Sequence, residues 1–209
     1  QAATPQVAST FTFKSSDAPI LRDAKGNARL PGSSARGVLR DWGEREVPLL
    51  ARVNGPAHGG GAGLVSVADI AIASETATFG FTEPRIGIAP ATISPYVLER
   101  IGAAAARRLF LTAQRFPAEE GLRLGLFDRV VPPSGLDAAV KQELDAILQC
   151  SPSALAACKR LIAEVPALGQ AAAIAHTARV LADLWETDDA REGIAAFSEK
   201  RKPRWSRTT

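Results

Sequence analysis

Gly59-Gly60-Gly61 and Gly63 sit between two apolar stretches, and this junction constrains the chain more than any other feature. Upstream, Val47 to Val53 reads as a buried strand. Downstream, Leu64-Val65-Ser66-Val67-Ala68 reads as the first turns of a buried helix. Glycines at such a junction let the backbone approach a ligand closely. They also present the unpaired N–H groups of a helix start, where negative charge is favoured. Two nucleotide patterns are excluded. A P-loop needs Lys followed by Ser or Thr after its last glycine, and here Leu64-Val65 follows. A dinucleotide fingerprint starting at Gly59 and Gly61 needs glycine at position 64. Leu64 stands there, although Glu83 lies at the spacing of a ribose-binding acid. Two readings remain: a tight structural turn, or a cradle of backbone N–H groups for an oxygen that gains charge.

The 209 residues suffice for one sizeable domain, or one domain with an appendage. A net charge of +3 and 22% charged residues are ordinary for a globular chain. Basic residues cluster only at Lys200-Arg201-Lys202, Arg204 and Arg207. That grouping reads as a solvated helix end or a phosphate contact. Without an aromatic-interleaved basic face, nucleic-acid binding is not expected. Cys150 and Cys158 read as buried free thiols of a reducing compartment. His58 and His176 are far apart in sequence, so no metal site is expected. No apolar run approaches the ~18 residues of a membrane span and no signal peptide is evident, so a cytoplasmic location is expected. Gln1 in a chain without Met suggests a trimmed or unusual N-terminus.

Along the chain, Phe11-Thr12-Phe13 alternates as a short strand, Ser15 to Gly37 reads as loop, and Val38 to Trp42 as a helix start. After the glycine junction, Ile70–Ala73 and Ala77–Phe81 read as strands, predicting a right-handed crossover and parallel pairing. Residues 82–91 form a loop with one acid, Glu83. Ser94-Pro95 opens a helix that Gly102 closes. A second helix covers Ala103–Thr112, and a third runs from Pro117 to Gly125. Phe127–Val131 is a strand stopped by Pro132-Pro133. Residues 136–149, 152–165 and 168–185 read as helices, and Asp189 with Glu192 as a capping box for the last. Three regions result: an atypical segment 1–46, an α/β core 47–133 and a helical region 134–209.

The ordered set Val53-Asn54-Gly55-Pro56-Ala57, Gly59-Gly60-Gly61, Asp69–Ala73, Phe79–Glu83, Arg85–Pro90, Leu111-Thr112-Ala113, Gly125–Val131 and Glu192–Phe197 resembles the crotonase superfamily, the enoyl-CoA hydratases and isomerases. The resemblance runs from about Val47 to Arg204. Pro90–Val97 looks like the methylglutaconyl-CoA hydratase branch. The resemblance implies an α/β spiral of strand–strand–helix turns and a helical C-terminal trimerisation region. It also implies acyl-CoA as substrate, no separate cofactor, and a homotrimer or hexamer. It makes Gly60 the oxyanion N–H donor and Glu83 the second of two catalytic glutamates. Gly60, Gly61 and Gly63 become substrate-binding, and Lys200 becomes a residue that approaches the coenzyme A phosphate of a neighbouring subunit.

Two positions depart from the pattern. The first glutamate position is Gly63, and no Gly-Ala-Asp-like loop supplying the second oxyanion donor precedes Val47, so the N-terminal part reads as truncated or rearranged. One-acid hydration of an enoyl thioester still fits: fixed N–H donors stabilise the enolate, and Glu83, the one acid among Phe79, Phe81, Ile86 and Ile88, exchanges protons. The bland alternatives are a Glu83–Arg85 loop pair and a structural His58. The rival function is a non-catalytic acyl-CoA-binding or assembly subunit. At Gly60, side-chain bulk and a glycine-only backbone angle are both expected to matter.

Overall fold

The computed structural model describes residues 46–206 and three upstream strands: β1 (Ser9–Phe13), β2 (Leu21–Arg22) and β3 (Ala28–Arg29). β1 covers the alternation at Phe11–Phe13, and β2 and β3 pair antiparallel within the stretch read as loop. The helix start expected at Val38–Trp42 lies outside the described residues. Two compact units are present, one centred on Leu49–Val140 and one holding residues 141–206 with Glu46–Pro48.

The first unit alternates strands and helices. It runs β4 (Leu49–Val53), β5 (Ala57–His58), α1 (Gly60–Ser66), β6 (Ile70–Ser74), β7 (Thr78–Gly80) and a 3-10 turn at Glu83–Ile86. Then follow α2 (Ser94–Thr112), β8 (Arg115–Pro117), α3 (Ala118–Arg123), β9 (Arg129–Val131) and the start of α4 (Leu136–Ile147). Each winding gives one strand to each of two sheets, ordered β1-β4-β6-β9 and β5-β7-β8. β4, β6 and β9 run parallel, as do β5 and β7, while β8 is antiparallel to β7. These are the strand–strand–helix windings that the resemblance implied.

Covered on both faces, the central strands β4 and β6 are almost wholly apolar, and all their residues except Arg52 and Ile70 are buried. A carboxylate stands at two strand entries. Asp69 accepts the Leu49 N–H at 2.7 Å, and Asp128 accepts that of Ala71 at 2.7 Å. Arg100 holds Asp128 at 2.7 Å and donates to the carbonyls of Ala68 and Leu126. Phe79 anchors the core, its ring 4.4 Å from Phe127 and 5.9 Å from Phe116.

Several boundaries differ from the sequence reading. α1 begins at Gly60, so the glycines form the helix rather than precede it. Buried Ala62, Gly63, Leu64 and Val65 stabilise it despite poor glycine propensity. β5 went unread because it is two residues long. The break at Gly102 is present, with φ 73 interrupting α2. β9 starts at Arg129 because Phe127 turns into the core beneath Gly121.

The second unit contains the rest of α4, α5 (Pro152–Glu164), α6 (Gln170–Trp185) and α7 (Asp188–Ser198). Ser151 caps α5, its Oγ accepting the Ala154 N–H at 3.2 Å. The α7 cap is Thr187, whose Oγ1 accepts the Ala190 N–H at 3.1 Å, not Asp189. Lying inside the helix, Asp189 accepts from Ser151 and Ser153 hydroxyls at 2.9 and 2.8 Å and from Arg204 at 3.1 Å. Burial pushes the Asp189 carboxyl up, but these bonds prevail and hold it below its ordinary value. Glu192 binds the Arg201 guanidinium at 2.7 and 3.0 Å and the Arg204 N–H at 2.8 Å. Those bonds, Arg201 first, bring its carboxyl down to about 2.

The buried residues of α5 and α7 are alanines, Ala157 and Ala196. Larger apolar groups are exposed in this chain: Phe197 is 88% exposed, and Ile162, Ile174 and Trp185 are open too. Cys150 and Cys158 are free and exposed, not buried as expected. Cys158 lies on the surface of α5, and Cys150 on the bend that follows α4. No described helix is long and apolar enough to cross a membrane.

Candidate active site

Parallel pairing of β5 with β7 sets Ala57 beside Phe79 and His58 beside Gly80. The Gly59 N–H extends that ladder by one bond, donating to Gly80 O at 2.8 Å. Gly59 then turns at φ 55, ψ −120, a conformation that disfavours a side chain. α1 follows, its first turn closed by the Gly63 N–H on Gly59 O at 3.1 Å. The amides of Gly60, Gly61 and Ala62 have no acceptor within the helix.

The glycines divide by role. A Cβ on Gly60 would meet nothing within 4 Å. The angle that demands glycine belongs to Gly59, which corrects the expectation for Gly60. Gly61 is partly covered. Gly63 is buried, and a Cβ there would lie 2.2 Å from Ile93 Cγ2, so its contact is with the core.

β7 leads through buried Phe81 to Glu83, the first residue of the 3-10 turn. Its carboxyl lies against Gly59: the position of a Gly59 Cβ is 3.2 Å from Glu83 Oε1 and 3.8 Å from Oε2. Oε2 is buried without a hydrogen-bond partner among the described residues. Arg85 does not pair with it, but donates Nε to Ala113 O at 3.0 Å. The apolar run around the acid splits in two. Phe79 and Phe81 are core, whereas Ile86 and Ile88 are 76% and 59% exposed beside the turn. Only the fold separates them, since all four are equally apolar in sequence.

His58 stands next to Gly59, with Nε2 3.4 Å from Thr78 Oγ1 and a buried Nδ1 that has no partner among the described residues. Burial first, and Arg115 second, hold its pKa below the ordinary imidazole value, so it is neutral near pH 7. Lys200 follows α7 in the second unit, exposed, at φ 53.

A spiral of strand–strand–helix windings that sets a carboxylate against a glycine-started helix defines a crotonase-type protein. The family profile described as enoyl-CoA hydratase/isomerase matches residues 23–208, and the chain belongs to that family. The match begins well upstream of Val47, where the motif resemblance started. Among relatives, the chain is 36% identical over 158 residues to the short-chain-enoyl-CoA hydratase of Clostridium acetobutylicum, covering 75% of this chain and 60% of that protein. It is 34% identical over 167 residues to the carnitinyl-CoA dehydratase of Proteus mirabilis, covering 76% and 62%. The crystal structure of an enoyl-CoA hydratase from Shewanella pealeana superposes with a TM-score of 0.79 at 36% identity, covering 83% of this chain and 65% of that one. The chain thus spans about 60% of the length of the curated relatives it matches.

Proposed function

We propose that this chain acts as an enoyl-CoA hydratase, adding water across the double bond conjugated to a coenzyme A thioester. The apposition of the Glu83 carboxyl and Gly59, at the open start of α1, carries the reading. Glu83 takes a proton from water while the water oxygen bonds to the β-carbon. The π electrons move toward the thioester oxygen, and the enolate is stabilised by N–H donation from Gly60. Glu83 then returns its proton to the α-carbon, so one carboxyl serves as base and acid. General acid–base help contributes about 10²–10⁴ in rate, and one oxyanion donor about 10²–10³. Lys200 and Gly61 are assigned to coenzyme A binding, and the working form is a trimer or hexamer. The names of the relatives, a hydratase and a dehydratase, favour reversible water addition.

The test is hydration of crotonyl-CoA by the purified chain, followed as loss of conjugated absorbance. Methylglutaconyl-CoA is run beside it because of the Pro90–Val97 resemblance. Turnover supports the proposal. Acyl-CoA binding without turnover favours the rival non-catalytic subunit.

A further inference from the structure

We infer that Arg85 is a positioning residue for Glu83, an inference that rests on the acid/base reading above. The 3-10 turn that carries Glu83 is only four residues long. Its backbone bonds include Arg85 N–H to Thr82 O at 3.1 Å, Gly87 N–H to Pro84 O at 3.2 Å and Ile88 N–H to Glu83 O at 3.3 Å. Residues 84–89 are exposed, so little packing holds them. Among the described residues, the side-chain hydrogen bond that ties this turn to another element is Arg85 Nε to Ala113 O, at 3.0 Å. Ala113 is a firm anchor. It is buried, and it closes α2 in the left-handed conformation, φ 48, with its own N–H on Leu109 O. A cation at this helix end also meets the negative end of the peptide dipoles, and a guanidinium donates from a fixed plane.

The anchor matters because, among the described residues, Glu83 Oε2 is buried without a hydrogen-bond partner, so the backbone of the turn decides where the acid points. Releasing Arg85 leaves the proton-transfer group chemically intact but misplaced. That fault lowers kcat more than it raises KM.

The test compares the parent with Arg85→Ala, Arg85→Lys and Glu83→Gln by amide hydrogen exchange and by crotonyl-CoA kinetics. In Arg85→Ala, exchange at Gly87 and Ile88 should quicken by about tenfold, the scale of one lost hydrogen bond, with β4 and β6 unchanged. Its kcat should fall by about 10- to 100-fold with KM within about twofold of the parent. Arg85→Lys should recover part of both. Unchanged exchange overturns the inference, as does unchanged kcat in an enzyme that Glu83→Gln silences. If Glu83→Gln retains parental turnover, the acid assignment fails by itself, and exchange still decides whether Arg85 holds the turn.

Discussion

Gly63 and Ile93 interlock: a Cβ on Gly63 would stand 2.2 Å from Ile93 Cγ2 and 2.7 Å from its Cβ. The place where the resemblance puts a first glutamate is thus filled from behind by the residue that caps α2. Gly63→Ala should destabilise the protein by about 1–3 kcal/mol through overpacking. Adding Ile93→Ala should recover part of that loss, because the second change removes the clashing methyl. Urea unfolding of both single variants and the double variant measures the coupling.

Glu83→Gln should abolish hydration, a fall of about 10²–10⁴, while acyl-CoA binding stays near parental. The side chains are close to isosteric and only proton exchange is lost. Absorbance kinetics and calorimetric titration give the two numbers. Parental turnover in this variant would remove Glu83 from the chemistry.

Gly60 and Gly59 should fail differently. Gly60→Val enters open space, so circular dichroism and urea unfolding should show an intact fold. Its branched methyls occupy the room assigned to the thioester oxygen, so acyl-CoA binding and turnover should both be lost. Gly59→Ala forces a side chain onto φ 55 and against Glu83 Oε1, costing about 1–3 kcal/mol of stability. An intact Gly60→Val protein that binds acyl-CoA as tightly as the parent returns the glycine run to a structural turn.

Acid should loosen the C-terminal strap at Glu192. Its folded pKa, about 2, lies below the ordinary 4.5. Its contribution is therefore full above pH 4.5 and lost as pH falls toward 2. Glu192→Gln should flatten the stability profile in that window, and salt should shrink the effect at this exposed site. Urea midpoints across the window read the slope.

Exposed Phe197, Ile162, Ile174 and Trp185 should be covered between subunits. Light scattering at micromolar concentration should report a trimer or hexamer, and Phe197→Glu should lower the mass. A monomeric parent contradicts the assignment.

Long periodic elements were legible in the sequence. β4, β6 and the C-terminal helices have enough residues for their pattern to show, and proline and glycine mark their ends. Short elements held by register were not. β5 has two residues, and α1 opens on glycines that would not form a helix alone. Local polarity also misled at Asp189 and Glu192, which have capping-box spacing but are engaged by Arg204 and Arg201, leaving the cap to Thr187. For the site, Glu83 and the glycines stood out by type. The Arg85–Ala113 bond spans 28 residues and ends on a backbone carbonyl, which no side-chain pattern announces.

The Gly59–Gly80 hydrogen bond has a consequence for how such a chain tolerates insertions and deletions. Acid and glycine start are measured from the same rung of one parallel ladder, so their spacing does not depend on the length of chain between α1 and β6. That connection is free to lengthen over evolutionary time without disturbing the pair. One residue gained or lost between Gly80 and Glu83 is a different matter. One residue more or less shifts the chain by up to about 3.3–3.6 Å, enough to take the carboxyl away from Gly59. Length variation among active relatives is therefore expected to spare this three-residue interval.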